Sequence, residues 1–154
     1  ACEQAVWYGR GPLETYPDCK EGNAIGCWEK NVEDFYFPYV LPQETGNHED
    51  TRWAAFVTEA GNGICIASDK EFSFGALHYT QENLTQATHT NELHRTENIQ
   101  LSVDYAQHGL GSASWGAECL EKDKLYPEPF TFTWKIFGTE KESLAERAEQ
   151  YRRK

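Results

Sequence analysis

Paired cysteines are missing from this chain. Its five, Cys2, Cys19, Cys27, Cys65 and Cys119, are odd in number and widely spread, with no two standing two residues apart. A zinc ribbon or a secreted disulfide framework shows paired spacing, so these read as reduced, mostly structural thiols, Cys65 in the apolar run "ICIA" being plain core. Positive charge is scarce: 14 Lys and Arg against 25 Asp and Glu leave a net charge of −11, and no basic cluster occurs before Arg152-Arg153-Lys154. Nucleic acid and anionic membrane are excluded as partners on that balance. Nothing approaches a run of about 18 apolar residues, and the opening "ACEQAVWYGRG" has neither the basic nor the long apolar region of a signal peptide. The expectation is a soluble chain in the cytoplasm, with the periplasm left open. His48, His78, His89, His94 and His108 are scattered without a close metal-ligand pair, which suits structural histidines better than a metal centre. No His accompanies a Ser or Cys in a nucleophile motif, and Gly9-Arg10-Gly11 lacks the length and the following helix of a phosphate loop.

What is there is a series of short strands. At 154 residues the chain is one domain's worth, able to bury roughly 68–70% of its unfolded surface. "TRWAAFVTEAGNGICIAS" is two apolar segments joined by Gly61-Asn62-Gly63, a hairpin signal because such a turn needs positive φ; residues 52–58 should pair antiparallel with 64–68. "EFSFGALHY" and "IQLSVDY" read as further strands. In "FTFTWKIF", Phe130, Phe132, Trp134 and Ile136 fall on one face and Thr131, Thr133 and Lys135 on the other, the alternation of a half-buried strand. Thr80 is placed to cap a short helix through "TQENLTQATH"; the sequon Asn83-Leu84-Thr85 inside it is common by chance. Near the end, Thr139 and Glu142 have capping-box spacing, and Leu144, Ala148 and Tyr151 recur at helical spacing. The expected fold is an all-β antiparallel sandwich over 1–138 with one short helix, followed by an amphipathic helix over 139–154 docked by its narrow apolar stripe.

Two loops are unusual. "YGRGPLETYPDC" concentrates two glycines, two prolines and two carboxylates in twelve residues, a composition that holds one backbone shape at a surface or simply makes a connecting turn. "HGLGSASWGAECL" sets Trp115 among small residues, where the indole face is available to stack on a sugar ring or to fold onto the core. Covering about 100 Å² of apolar area at about 25 cal/mol per Å² contributes ~2.5 kcal/mol, short of the ~4.1 kcal/mol of millimolar affinity, so Trp115 can only be part of a site. Glycoside hydrolysis needs two carboxylates about 5–10 Å apart. Glu14, Asp18, Glu44, Glu49 and Asp50 are candidates by type, but spacing alone selects no pair and names no reaction.

The stretches "WYGRGPLETYPD", "FYFPYVLPQETGN", "TRW", "FSFGALHYTQENLTQATH" and "GLGSASWG", in this order and with similar gaps, resemble the C-terminal domain of the large bacterial β-galactosidases of glycoside hydrolase family 2. The resemblance covers residues 5–137. It implies a galactose-mutarotase-like supersandwich, here in its C-terminal portion, belonging to an enzyme whose catalytic glutamates lie in a separate TIM barrel. A barrel takes roughly 250 residues, so no acid of this chain inherits a catalytic role. By the same resemblance Trp115, supported by Ser114, belongs to a loop that reaches the barrel mouth and forms part of the galactoside platform. By position and motif, Arg10, Glu14, Tyr16 and Asp18 are expected to form a rigid loop that braces the domain near the barrel. The parent enzymes' magnesium and sodium are assigned to no residue here. Expected partners are a β-galactoside, the remaining domains of the parent, and a second copy through strand edges and apolar faces that an earlier half of the sandwich covers in the family.

Two departures from the family pattern stand out: Ser112-Ala113 occupy positions where many members carry two acids, and the helix after Thr139 extends past the usual ending. Three other readings share parts of this pattern: a free-standing carbohydrate-binding module displaying Trp115, an aldose mutarotase built on a His and Glu drawn from His78, His89, Glu44 or Glu97, and a purely structural buttress.

Overall fold

The computed structural model describes residues 1–111 and 117–153. It is an all-β, antiparallel, sandwich-like domain with two short helices. β1 (Gln4–Gly11), β2 (Ala24–Asn31), β3 (His48–Val57), β4 (Asn62–Leu77) and β5 (Gln100–Asp104) run in the order β2-β1-β3-β4-β5, and β6 (Trp134–Glu140) also pairs with β4. The 16-residue β4 organises the sheet: its first half binds β6 and its second half β5, both along the side away from β3. The two stretches expected as separate strands are thus one strand interrupted by a bulge. The register jumps between Thr51, opposite Phe72, and Trp53, opposite Ala67, so that 68–71 leave the ladder with β3.

The β3–β4 hairpin has the expected register, with Val57 opposite Gly63 and Trp53 opposite Ala67. Its turn lies slightly earlier than Gly61-Asn62-Gly63. The Gly61 N–H donates to the Thr58 carbonyl at 2.8 Å, and Gly61 takes the positive φ, +83°. Asn62 and Gly63 already belong to the strand.

Each face of the sheet has its own core. On one, Trp7, Ala54, Phe56, Ile66 and Phe74 pack with Val32, Phe35 and Leu84 from the segments laid over them. Leu84 comes from α1 (Gln81–Gln86), capped by Thr80, whose hydroxyl accepts from the Asn83 N–H at 3.1 Å. On the other, Trp53, Ala55, Cys65 and Ala67 are covered by α2 (Leu144–Arg152) through Leu144 and Ala148, while Tyr151 stacks on Phe137 with centroids 4.1 Å apart. The expected stripe therefore docks as read, but Thr139 and Glu142 are not its cap. Thr139 is still paired with Gly63 in β6, a 3-10 turn over Lys141–Ser143 intervenes, and Ser143 stands at the N-cap without a side-chain cap bond. All five cysteines are free thiols.

β6 also corrects the reading of "FTFTWKIF". Alternation holds from Trp134 onward, but the side turned to α2 carries Lys135, Phe137 and Thr139, while Trp134 and Ile136 are exposed. Lys135 is tolerated there because its amine reaches the Tyr151 carbonyl at the end of α2, 2.8 Å away. Among the described residues no helix is long and apolar enough to cross a membrane.

Candidate functional site

The opening loop leaves β1 after two glycines that the packing requires. A Cβ on Gly9 would stand 2.6 Å from the Thr51 hydroxyl, and one on Gly11 2.7 Å from the Trp28 indole. The Gly11-Pro12 bond is cis. Beyond it, the loop folds against the segment entering β3: the Thr15 N–H donates to the Asn47 carbonyl at 2.7 Å, and the Asn47 amide returns a bond to the Thr15 carbonyl at 2.8 Å.

Each of the four loop residues singled out by sequence has a defined partner. Arg10 donates to Asp50 at 2.6 Å and to the Lys20 and Asn23 carbonyls, and Lys20 takes the other Asp50 oxygen at 2.6 Å. Burial opposes the charge on Asp50, yet the bonds from Lys20 and Arg10 outweigh it and hold its carboxyl below the ordinary value. Glu14 gathers the hydroxyls of Tyr39 and Thr45 and the Gly46 N–H. The Tyr39 phenol is pushed up to about 12, first by its bond to Glu14 and then by burial. Tyr16 is buried, and burial ahead of the Glu14 charge raises its phenol too.

Asp18 reaches furthest. Its two oxygens accept the Leu110 N–H at 3.0 Å and the Gly111 N–H at 2.6 Å. Burial works against this charge as well, but the two backbone donors prevail and the carboxyl titrates below its usual range. Gly111 has φ +65°, and a Cβ there would lie 2.6 Å from the Cys119 N, so the turn admits only glycine. The Gly109 N–H donates to the Asp123 carbonyl at 2.7 Å. The stem of the second loop is thereby tied from both sides. Ser114 and Trp115 lie outside the described residues.

Beside this stem, His108 Nδ1 accepts the Leu125 N–H at 3.0 Å, so the proton of the neutral ring sits on Nε2, which faces Cys119 Sγ at 3.3 Å. That tautomer has no free lone pair toward the thiol and cannot serve as its base. His48 is enclosed by Trp7, Phe35 and Phe74, and burial, with the nearby Lys30 charge, lowers it to about 3. Among the described residues no three His, Cys, Asp or Glu side chains cluster as metal ligands.

Sequence reasoning named Arg10, Glu14, Tyr16 and Asp18 but missed their partners. Asp50, Thr45 and the Leu110 and Gly111 amides lie 31 to 93 residues away along the chain. The one local signal was the pair of glycines in "HGLGS", which marks a tight turn needing an external partner.

Residues 1–136 match the family model described as beta galactosidase small chain. The chain is 33% identical over 136 residues to "Beta-galactosidase" of Staphylococcus xylosus, covering 88% of this chain and 14% of that protein. It is 38% identical over 123 residues to "Beta-galactosidase BgaC" of Bifidobacterium adolescentis, with coverages of 77% and 12%. A yeast protein, "Beta-galactosidase" of Kluyveromyces lactis, is 34% identical over 136 residues, with coverages of 87% and 13%. The chain spans about an eighth of the length of these relatives.

Proposed function

We infer, because this chain belongs to the beta galactosidase small-chain family, that it is a non-catalytic C-terminal domain of a β-galactosidase that hydrolyses terminal β-D-galactosides such as lactose. Its contribution is Trp115, presented to the galactoside beside a catalytic barrel carried elsewhere in the polypeptide. A barrel of roughly 250 residues does not fit in 154, and the part shared with this chain is only 14% and 12% of two of the relatives.

The observation that carries the reading is the grip of Asp18 on Leu110 and Gly111, immediately before the segment that contains Trp115. A binding side chain on a loop is useful only if the loop's stem is held, and here a carboxylate from the opening loop does the holding. The test is Trp115→Ala in the full-length enzyme. Losing ~2.5 kcal/mol of apolar contact raises the KM for lactose by roughly 10- to 70-fold, with kcat reduced far less. An unchanged KM removes Trp115 from the substrate site. A titration of the isolated chain's indole N–H signals with galactose and lactose separates a stand-alone sugar-binding module, whose Trp115 signal saturates, from a domain that needs the barrel.

The bland reading, a buttress that only supports the parent, draws on a different observation: the apolar row left bare on β6.

A further inference from the structure

Between the opening loop and the end of β5 lies a hollow of about 210 Å³, walled in part by Pro17, Glu49, Ser73, Tyr105 and Gln107. The sheet is irregular where it forms the floor. His48 stands opposite Phe74 and Thr51 opposite Phe72, so β3 uses one residue more than β4 over this step, and Asp50 in the bulge has φ +52°, the only positive value at a non-glycine among the described residues. A bulge re-aims side chains, and backbone in so rare a conformation is kept where a site needs it.

Three polar groups in this hollow have bonding capacity that the chain does not use. Glu49 is 8% exposed; one of its oxygens accepts the Asn47 amide at 3.0 Å, and among the described residues nothing bonds the other. Burial pushes its carboxyl up, ahead of the favourable Asn47 bond and Lys20 charge. The Ser73 hydroxyl, on a residue 2% exposed, has no hydrogen-bond partner in the chain. It lies near enough to favour the charge on Glu49 without making a bond to it. Gln107 donates through its amide nitrogen to Asn47 and to Asp104, both at 3.2 Å. Because a carboxylate only accepts, the bond to Asp104 fixes the nitrogen, and the amide oxygen is the end left unbonded among the described residues. A buried hydroxyl without a partner destabilises a fold, so its presence asks for something outside the chain to complete it.

The chemistry of these groups selects the ligand. Charge around the hollow is already matched, Asp50 by Arg10 and Lys20 and Glu71 by Arg52. An anion would meet carboxylates and find no unpaired cation. An ammonium group or a metal ion would suit Glu49 but offers no acceptor for the Ser73 proton. A hydroxyl meets both demands, since it donates to a carboxylate while accepting from Ser73. Tyr105, 39% exposed, supplies an aromatic wall, its ring held by Phe130 stacked on it with centroids 4.5 Å apart. At about 210 Å³ the hollow is smaller than the roughly 300–1,000 Å³ of a drug-sized site, which limits the occupant to a single ring.

We propose that this hollow binds one ring of a neutral, polyhydroxylated ligand, a pyranose, with Glu49 and Gln107 accepting from its hydroxyls and Ser73 donating to one of them. All of these residues belong to this chain, so the site depends on neither Trp115 nor a barrel.

The deciding experiment titrates D-galactose and D-glucose into the isotope-labelled chain and follows the backbone amides of Glu49, Ser73 and Gln107. Saturating shifts with at least one hexose are expected, at an affinity of the order of millimolar. Ser73→Ala should weaken that binding about fivefold and Glu49→Gln about tenfold. Both variants should leave the thermal midpoint unchanged or raise it, because each removes a group that the fold leaves unsatisfied. Shifts that stay linear with both hexoses overturn the proposal, as they describe a hollow filled by water alone. Saturation by magnesium chloride or n-butylammonium in place of the hexoses overturns it in favour of a cation site, and a lowered midpoint in Ser73→Ala shows that the hydroxyl serves the fold instead. Trp115→Ala separates this site from the reading above: the titration is expected to be unchanged in that variant, and loss of the shifts there assigns the sugar to the Trp115 loop and refutes the hollow. The KM for lactose of the full-length enzyme scores the Trp115 reading on its own.

Discussion

Asp18 and Gly111, 93 residues apart in the chain, are joined by a 2.6 Å bond from the Gly111 N–H to the Asp18 carboxylate. With the companion bond from Leu110 it is a charge-assisted clamp between the two loops that the sequence marks as unusual. Asp18→Ala is expected to cost about 1–3 kcal/mol in urea unfolding and to accelerate exchange of the Leu110 and Gly111 amides. Asp18→Asn, which keeps one accepting oxygen, falls between. Exchange rates unchanged in both variants would remove the clamp from the account.

Acid should weaken the fold through two groups whose windows overlap at their acid end. His48 is lowered to about 3 in the folded chain by burial, against an ordinary value near 6.5. The unfolded chain therefore takes up a proton that the folded one refuses, and stability declines as pH falls from about 6.5 toward 3, by up to about 1.4 kcal/mol per pH unit. Asp18 acts lower. Its depressed folded pKa makes its contribution complete above the ordinary carboxylate value and lost as pH falls below it. Urea midpoints measured between pH 7 and 4 should flatten in His48→Gln, whatever its absolute stability, and a full slope in that variant would assign the effect elsewhere.

Two strand glycines should respond oppositely to alanine. A Cβ on Gly63 would lie 1.9 Å from the Phe56 carbonyl oxygen, across the hairpin, so Gly63→Ala must part the β3–β4 backbones and should destabilise by at least about 2 kcal/mol. Gly138 has open space around its missing Cβ, and Gly138→Ala should raise the stability of the isolated chain by about 0.5–1 kcal/mol. Thermal midpoints of the pair provide the check.

The docking of α2 predicts where its stability resides. Leu144, 2% exposed against Ala55 and Cys65, should cost about 2–4 kcal/mol when cut to alanine. Ser143 makes no cap bond, so Ser143→Ala should change stability by less than about 0.5 kcal/mol. Chemical denaturation that ranked the two in reverse order would show that the helix depends on its start rather than on its apolar stripe.

Much of the architecture was legible in local pattern. The hairpin pairing, the Thr80 cap and the stripe of Leu144, Ala148 and Tyr151 could be read directly, because steric preference and hydrophobic period act between neighbours along the chain. The family was legible too, carried by motifs that match over residues 1–136. Which row of β6 turns inward was not. Alternation specifies two faces and leaves open which of them is covered, and here α2 covers Phe137 while Trp134 and Ile136 stay bare. The false cap at Thr139 failed for a related reason, since pairing with Gly63 holds that residue in the sheet whatever its local preference for a helix start. The opening loop could be recognised as special by composition, but the partners of its charges are set by tertiary structure alone. Hydrogen bonds act over about 3 Å in space, and only the folded sheet brings Asp50 to Arg10, Thr45 to Glu14 and Gly111 to Asp18.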